Sequence, residues 1–331
     1  MWQFTLDNLR DGNPVFVAHV AHNTKHSPGT TGARLAVGPN GTTAGTIGGG
    51  IMEAEVLQRA EEALSDDDFT PEYERLYHRR NAPDAGEPAK PSGLACAGNQ
   101  TNVYHVVEPD EDLEIVEAIV EQLANDQAGL VEISEAGMKL TDHAPEEIEP
   151  PYRFDRGDDW RFRWQLLNWK RVAIIGGGHC GLALSRVTAQ LGYTVTVFEN
   201  RPDVFTFAEN DYATHKIVVD DYAEAGDQIR HPVFTHVVVM TSNQPDDVRG
   251  LLSVAEGPYP YIGVMGAPAK LARIRSDLLD LGISSEAIDR FYAPIGLEMT
   301  SNTPEEIATS IAAELLRERE SLFPFTRPDD L

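Results

Sequence analysis

Cysteine and positive charge are both scarce in this chain of 331 residues. Cys96 and Cys180 are too few for a disulfide framework, so the fold is expected to rest on apolar cores in a reducing compartment. Lysine and arginine number 27 against 53 aspartates and glutamates, a formal net charge of −26. Without a basic surplus to displace phosphate counterions, nucleic acid is not the expected partner, nor is an anionic membrane surface. No run reaches the ~20 apolar residues of a membrane span. The opening Met1-Trp2-Gln3-Phe4 has neither the basic nor the apolar region of a signal peptide, so the expected location is cytoplasmic. Hydrophobic residues make up 41% of the chain, enough for buried cores, and the length suggests two domains.

The reading divides the chain into an N-terminal domain over 1–140, a junction over 141–168 and a C-terminal domain over 169–331. The junction begins proline- and acid-rich at His143–Pro151, then turns aromatic at Arg161–Trp164 and Leu166–Trp169, as a linker packed at its far end would. A proline-rich stretch from Asn81 to Ser92 reads as a long loop.

The fold class expected is α/β: a C-terminal Rossmann-like, doubly wound parallel sheet with a mixed α+β N-terminal domain. In the C-terminal half, short β-branched runs at Val172–Ile175, Thr194–Phe198, Lys216–Val219, His236–Met240 and Tyr261–Val264 alternate with helical stretches. That pattern belongs to a parallel sheet covered on both faces. Thr303-Pro-Glu-Glu306 announces a capped helix with an apolar stripe from Ile307 to Leu316. In the N-terminal half, Val15–Val20, Ala33–Val37 and Asn102–Val107 read as strands, and Met52–Leu64 and Leu113–Leu123 as helices.

Gly176-Gly-Gly-His-Cys-Gly181 matches G-x-G-x-x-G between a strand and a helix. Gly176 suits the turn, Gly178 a close backbone approach to pyrophosphate, with His179 beside it, and Gly181 tight helix packing. Glu199, at the end of the next strand, stands where an acid would take ribose hydroxyls, so NAD(P) is a candidate ligand. Thr241 falls at a later strand end, on the same edge. In the first domain Gly48-Gly-Gly50 precedes a helix carrying Glu53 in its first turn. It reads either as an anion cradle of main-chain amides or as a tight turn in which Glu53 complements the helix dipole. Cys96, between small residues, is a candidate nucleophile or soft metal or sulfur contact, equally a packed small hydrophobe, whereas Cys180 reads as packing. Strand alternation puts His19 and His22 on opposite faces, so a closed metal site is not expected there.

Ser27-Pro, Gly45-Thr-Ile-Gly-Gly-Gly50 with Glu53, Cys96-x-Gly98, Gly176–Gly181, Tyr261-Ile-Gly-Val264 and Pro294-Ile-Gly-Leu followed by Thr303–Glu314 together resemble the xanthine dehydrogenase accessory protein family, XdhC/CoxI type. Gly29 stands where that family often has arginine, and Cys96-Ala-Gly98 where it has Cys-Gly-Gly. The resemblance implies a non-catalytic maturation factor, a cytoplasmic homodimer. Such a factor binds the molybdenum cofactor (molybdopterin), supports its sulfuration with a cysteine desulfurase, and inserts it into a xanthine dehydrogenase-like molybdenum hydroxylase. Under it, the glycines at 48–50, 176, 178 and 181 with Glu53, His179, Glu199 and Thr241 would hold cofactor, and Cys96 would touch molybdenum or sulfur. The alternative is an NAD(P)-dependent oxidoreductase using the glycine loop.

Overall fold

A computed structural model describes residues 1–24, 26–66, 69–77, 90–91, 98–300 and 303–326. They fall into two compact units, one over Met1–Ala144 with Glu149–Leu167, the other over Pro145–Ile148 with Asn168–Thr326.

The first unit runs α1 (Trp2–Arg10), β1 (Val15–Asn23), β2 (Arg34–Val37), β3 (Thr43–Thr46), α2 (Ile51–Ala63), β4 (Glu72–Tyr77), β5 (Lys90–Pro91), β6 (Asn99–Val107), α3 (Pro109–Ala124), β7 (Leu130–Ser134), β8 (Gly137–Thr141), β9 (Tyr152–Asp155) and β10 (Arg161–Gln165). Its larger sheet has the order β3-β2-β1-β6-β4-β5, and a second, antiparallel sheet the order β8-β7-β10-β9. Period-two alternation distributes the side chains of β1. Phe16, Ala18 and Val20 join Val56, Ala60 and Ala63 of α2 in one core, and Val15 and Val17 join Trp2, Val116, Phe162 and Trp164 in another. The stretch 141–168, expected as a junction, supplies β9 and β10. Its aromatic residues are an inner sheet face, Phe162 and Trp164 being fully buried.

Between the two sheets lies a buried polar row. The Arg34 guanidinium stands 4.8 Å from the Trp164 ring centroid and donates from Nε to His19 Nδ1 at 3.2 Å. His19 Nε2 lies 3.0 Å from His105 Nε2. Arginine has no acceptor, so His19 Nδ1 carries no proton, and neutral His19 donates from Nε2 to His105. Burial, then the facing charges of His105 and Arg34, hold His19 well below its ordinary pKa; burial, then Arg34, pushes His105 down to about 3. A β-bulge between Val20 and His22 pairs His22 with Thr101, returning it to the face of His19. The expectation of opposite faces came from unbroken alternation.

The second unit runs β11 (Arg171–Ile175), α4 (His179–Gln190), β12 (Thr194–Glu199), α5 (Phe205–Ala208), β13 (His215–Val218), α6 (Ala225–Gln228), β14 (Thr235–Val239), α7 (Gln244–Leu252), β15 (Tyr261–Val264), α8 (Pro268–Asp280), α9 (Ser285–Asp289) and α10 (Pro304–Leu322). All five strands are parallel, in the order β13-β12-β11-β14-β15. This is the Rossmann-like sheet expected, its strand order reversing between β11 and β14, where ligands lodge outside the strands' carboxyl ends. Val172 and Ile174 pack towards Leu184, Ile311 and Leu315, Ala173 and Ile175 towards Val248, Leu251 and Ile274. Each such valine, leucine or isoleucine side chain is worth about 1.5–3 kcal/mol when fully buried.

Thr303 caps α10 in a reciprocal box with Glu306. On the same helix Glu314, almost wholly buried, accepts from Tyr261 Oη at 2.6 Å and from the Gly296 amide at 2.9 Å. Tyr261→Phe is therefore expected to lower unfolding free energy by about 1.5–3 kcal/mol, the range for a hydrogen bond to a charged group. A urea titration checks this, and an unchanged midpoint would show the tie to be inert.

Candidate functional site

In the first unit the two small-residue loops flanking β2 and β3 cross. A Cβ on Gly48 would sit 2.8 Å from the Gly29 nitrogen, and one on Gly29 would sit 2.3 Å from the Ile47 carbonyl oxygen. Gly48, Gly49 and Gly50 all have positive φ, at 122°, 77° and 68°. The crossing is tied from β6. Gln100, fully buried, accepts from Ser27 Oγ and the Gly29 amide through Oε1, and donates through Nε2 to the Ile47 carbonyl and Asn102 Oδ1. Asn102 donates onward to Tyr104 Oη, whose ring carries the Arg59 guanidinium at 4.3 Å.

Glu53 settles where the loop's donors go. Its Oε1 accepts from Thr46 Oγ1 at 2.5 Å and from the amides of Ile47 and Gly49 at 3.0 Å each. Partial burial works against ionisation, but the bonds from Thr46, Ile47 and Gly49 outweigh it and hold the carboxyl below its ordinary range. Of the amides read as an anion cradle, that of Gly49 is thus donated to the chain's own carboxylate and that of Gly48 to Thr46 Oγ1 at 3.2 Å, as in the tight-turn alternative.

Cys96, the thiol candidate, lies outside the described residues. Cys180 sits half-buried in α4; burial, then the nearby Glu305 charge, pushes its thiol up, away from the thiolate. Among the described residues no group of three or more histidine, cysteine, aspartate or glutamate side chains could hold a metal ion, and no helix is long and apolar enough to cross a membrane.

In the second unit the glycine loop follows β11. Gly176 adopts φ 117°, and a Cβ there would stand 2.6 Å from the Met240 carbonyl oxygen and 2.9 Å from Thr241 Cα. A Cβ on Gly181 would meet the Gly176 carbonyl at 2.3 Å, which explains the third glycine, whereas one on Gly178 would meet nothing within 4 Å. Gly178 therefore leaves open space, and His179 beside it is exposed, its ring edge-on to that of Phe205, 56% exposed.

Glu199 ends β12 as expected, but its carboxylate faces inward and is fully buried. Oε2 accepts from the Gly177 amide at 2.8 Å and from Arg201 Nη2; Oε1 accepts from Arg201 Nε, the amides of Asn200 and Arg201, and Tyr222 Oη. Burial opposes ionisation, yet the bonds from Arg201, Gly177 and Tyr222 outweigh it and the carboxyl is held low. Six donors on two oxygens leave no lone pair for a ribose hydroxyl. Thr241 shares this engagement, donating from its amide and Oγ1 to Asp247 Oδ1, and the other Asp247 oxygen pairs with Lys270 Nζ at 2.5 Å.

A family model described as the XdhC Rossmann domain matches residues 172–315, and one described as the XdhC and CoxI family matches residues 8–74, together more than half of the chain. The chain belongs to the XdhC/CoxI family. It is similar to an uncharacterized protein, YqeB, of Escherichia coli (strain K12), 23% identical across 93% of this chain and 44% of that protein. It is also similar to a probable xanthine dehydrogenase component from Bacillus subtilis (strain 168), 26% identical across 45% of this chain and 43% of that protein. The chain thus spans less than half the length of these curated relatives. In fold it matches a Bacillus halodurans protein whose crystal structure is described as a xanthine dehydrogenase, with TM-score 0.69, 21% identity, and 99% and 98% of the two chains covered.

Several groups that shape this XdhC/CoxI-family site gave weak sequence signals. Gln100 falls just ahead of the strand read at Asn102–Val107, in the wholly polar run Asn99–Asn102, yet both Gln100 and Asn102 are fully buried. Arg201 and Tyr222 follow strand ends as ordinary polar turn residues do. Asp247 resembles any acid in a helix's first turn, and only its complete burial marks it out.

Proposed function

We propose that the chain is an accessory protein for a molybdenum hydroxylase of the xanthine dehydrogenase type. It binds molybdopterin, supports its sulfuration with a cysteine desulfurase as sulfur source, and passes the cofactor to the client enzyme. It works as a cytoplasmic homodimer. Family membership supports the accessory role, as do the xanthine dehydrogenase names of the Bacillus subtilis relative and of the Bacillus halodurans fold match.

The observation that carries cofactor binding is the carboxyl edge of the parallel sheet. The glycine loop there is open at Gly178, and the exposed rings of His179 and Phe205 stand beside it. A planar pterin bearing a phosphate suits that combination: the bare backbone admits the phosphate, and the rings offer a stacking face. The bound cofactor supplies the molybdenum centre that the client uses. The chain's task is to hold the organic part and shield it in transit, with Cys96 as contact to the metal or its sulfur.

Purification under anaerobic conditions followed by mass spectrometry of the released small molecule is the test. Molybdopterin is the expected species, and the loaded protein is expected to activate a cofactor-free molybdenum hydroxylase. No activation, together with NADH oxidation in the presence of a substrate, would overturn the proposal. That outcome belongs to an NAD(P)-dependent oxidoreductase, which the glycine loop and the strand order support. The engagement of Glu199 with Gly177, Arg201 and Tyr222 weighs against it, since the acid offers ribose no acceptor.

A further inference from the structure

Two ion pairs at the carboxyl edge of the parallel sheet share one design. At the end of β12, Glu199 is fully buried while its partner Arg201 has 47% of its side chain exposed. After β14 and β15, Asp247 is fully buried while its partner Lys270 has 28% exposed. Each acid is a poor choice for stability alone, because burying a carboxylate costs several kcal/mol and an apolar pair often does as well. Each instead fixes a flexible cation at one spot. The Arg201 fork meets both Glu199 oxygens through Nε and Nη2. Lys270 Nζ lies between Asp247 Oδ2 and the Met265 carbonyl oxygen, at 2.5 and 3.3 Å. The Met265 carbonyl takes one of the ammonium's three donors, while the Asp247 contact is an ion pair.

The pairs bracket the glycine loop. Glu199 takes the Gly177 amide on the β12 side. On the β14 side Gly176 abuts Thr241, whose amide and hydroxyl go to Asp247. In the strand order, Arg201 thus follows the strand on one side of β11, and Lys270 follows the strand beyond β14 on the other. In a chain with 26 negative charges in excess, the more exposed member of each of these two pairs is the cation.

We infer that Lys270 and Arg201 form a two-point clamp for a phosphate ester, with Asp247 and Glu199 as the positioning residues that hold the two cations. The inference rests on the cofactor-binding reading above and deepens it by naming the ligand class and the residues that grip it. Ligands of this class carry a phosphate or diphosphate joined to a planar heterocycle, and both a phosphorylated pterin and a dinucleotide qualify. Lysine contributes a point charge, whereas arginine, with Nε and one Nη2 N–H given to Glu199, contributes the remaining N–H groups of its Nη1/Nη2 edge.

The test is calorimetric titration of the full chain with inorganic pyrophosphate at low salt, repeated with Lys270→Met/Asp247→Asn, with Arg201→Met and with Lys270→Arg. The double substitution removes both charges of the inner pair and avoids stranding a buried carboxylate. Binding that weakens with added salt is expected for the parent. Losses of about tenfold or more are expected for the double variant and for Arg201→Met, with most affinity kept in Lys270→Arg. Thermal unfolding of each variant separates lost binding from lost folding. Competition against bound pyrophosphate then distinguishes the sources: displacement by NADPH in preference to NADH points to a dinucleotide, and displacement by molybdopterin points to the pterin. The clamp is overturned if the parent does not bind pyrophosphate, or if the folded double variant binds it as the parent does. A chain that binds pyrophosphate through Lys270 yet fails to activate the hydroxylase sinks the maturation role and leaves the clamp standing.

Discussion

Acidification from pH 6.5 to 5 is expected to destabilise the N-terminal unit by about 1.7 kcal/mol from His105 alone, the slope steepening from about 0.7 towards about 1.4 kcal/mol per pH unit, with His19 adding in the same direction. Both rings are buried and neutral, so their folded pKa values lie below the unfolded value near 6.5; for His105 it is about 3. Between those values the unfolded chain binds the proton and the folded chain does not. Stability is therefore complete above the unfolded pKa and is lost steadily as pH falls towards the folded one. In the same unit Glu53, its carboxyl held low, acts in the same sense but only as pH drops through the carboxylate range, below this window. Tryptophan fluorescence suits the measurement, since Trp2, Trp160 and Trp164 lie in the core concerned. His105→Gln keeps an acceptor for the His19 proton and removes a titrating ring. Urea midpoints followed across pH 7 to 5 should then lose about one proton's worth of slope, and an unchanged slope would assign the acid sensitivity to other groups.

Gly48→Ala is expected to cost about 3 kcal/mol or more, and Gly29→Ala a similar amount, while Gly49→Ala costs only about 1 kcal/mol. The three positions separate two effects. Gly49 has φ 77° with nothing within 4 Å of a new Cβ, so alanine there suffers backbone strain alone. Gly48 combines φ 122° with main-chain atoms of Pro28 and Gly29 at 2.9 and 2.8 Å. Backbone atoms cannot swing aside as a side-chain tip can. At Gly29 the clash is with the Ile47 carbonyl and Gln100 Oε1, at 2.3 and 2.5 Å. Thermal unfolding of the three variants ranks them, and equal losses at Gly48 and Gly49 would show that the loop crossing relaxes freely.

The second unit was largely legible in the sequence because its signals are local. Short runs rich in β-branched residues alternate with helices, and each strand falls where its apolar run does, within a residue or two. The capping box at Thr303 was likewise written in adjacent residues. The second antiparallel sheet was not legible: no strand was read over β7 and β8, and β9 and β10 lie in the stretch read as a junction, proline- and acid-rich at His143–Pro151 and aromatic from Arg161. Only pairing across the chain makes their aromatic residues an inner face. At the candidate site, glycine positions could be read from the sequence but the fate of their amides could not. Whether Glu53 and Glu199 receive a ligand's hydroxyls or the loop's own N–H groups is set by a few ångströms of side-chain placement that no spacing encodes. Gln100 was missed because it sits in the polar run Asn99–Asn102 ahead of the apolar strand signal, and an uncharged polar residue there ordinarily faces water.

The row Gln100, Asn102, Tyr104 gives β6 a property that ordinary strands lack. From Gln100 to Tyr104 it spans four residues, roughly 13 Å at 3.3 Å per residue, and only its first member grips the two crossing loops. One extra residue inserted between Gln100 and Tyr104 would rotate the gripping amide to the opposite side of the sheet and release both loops together, whereas the same insertion ahead of Gly98 would leave the comb intact. Strand length in this one place is a counted quantity, and the geometry of loops some fifty and seventy residues upstream depends on the count.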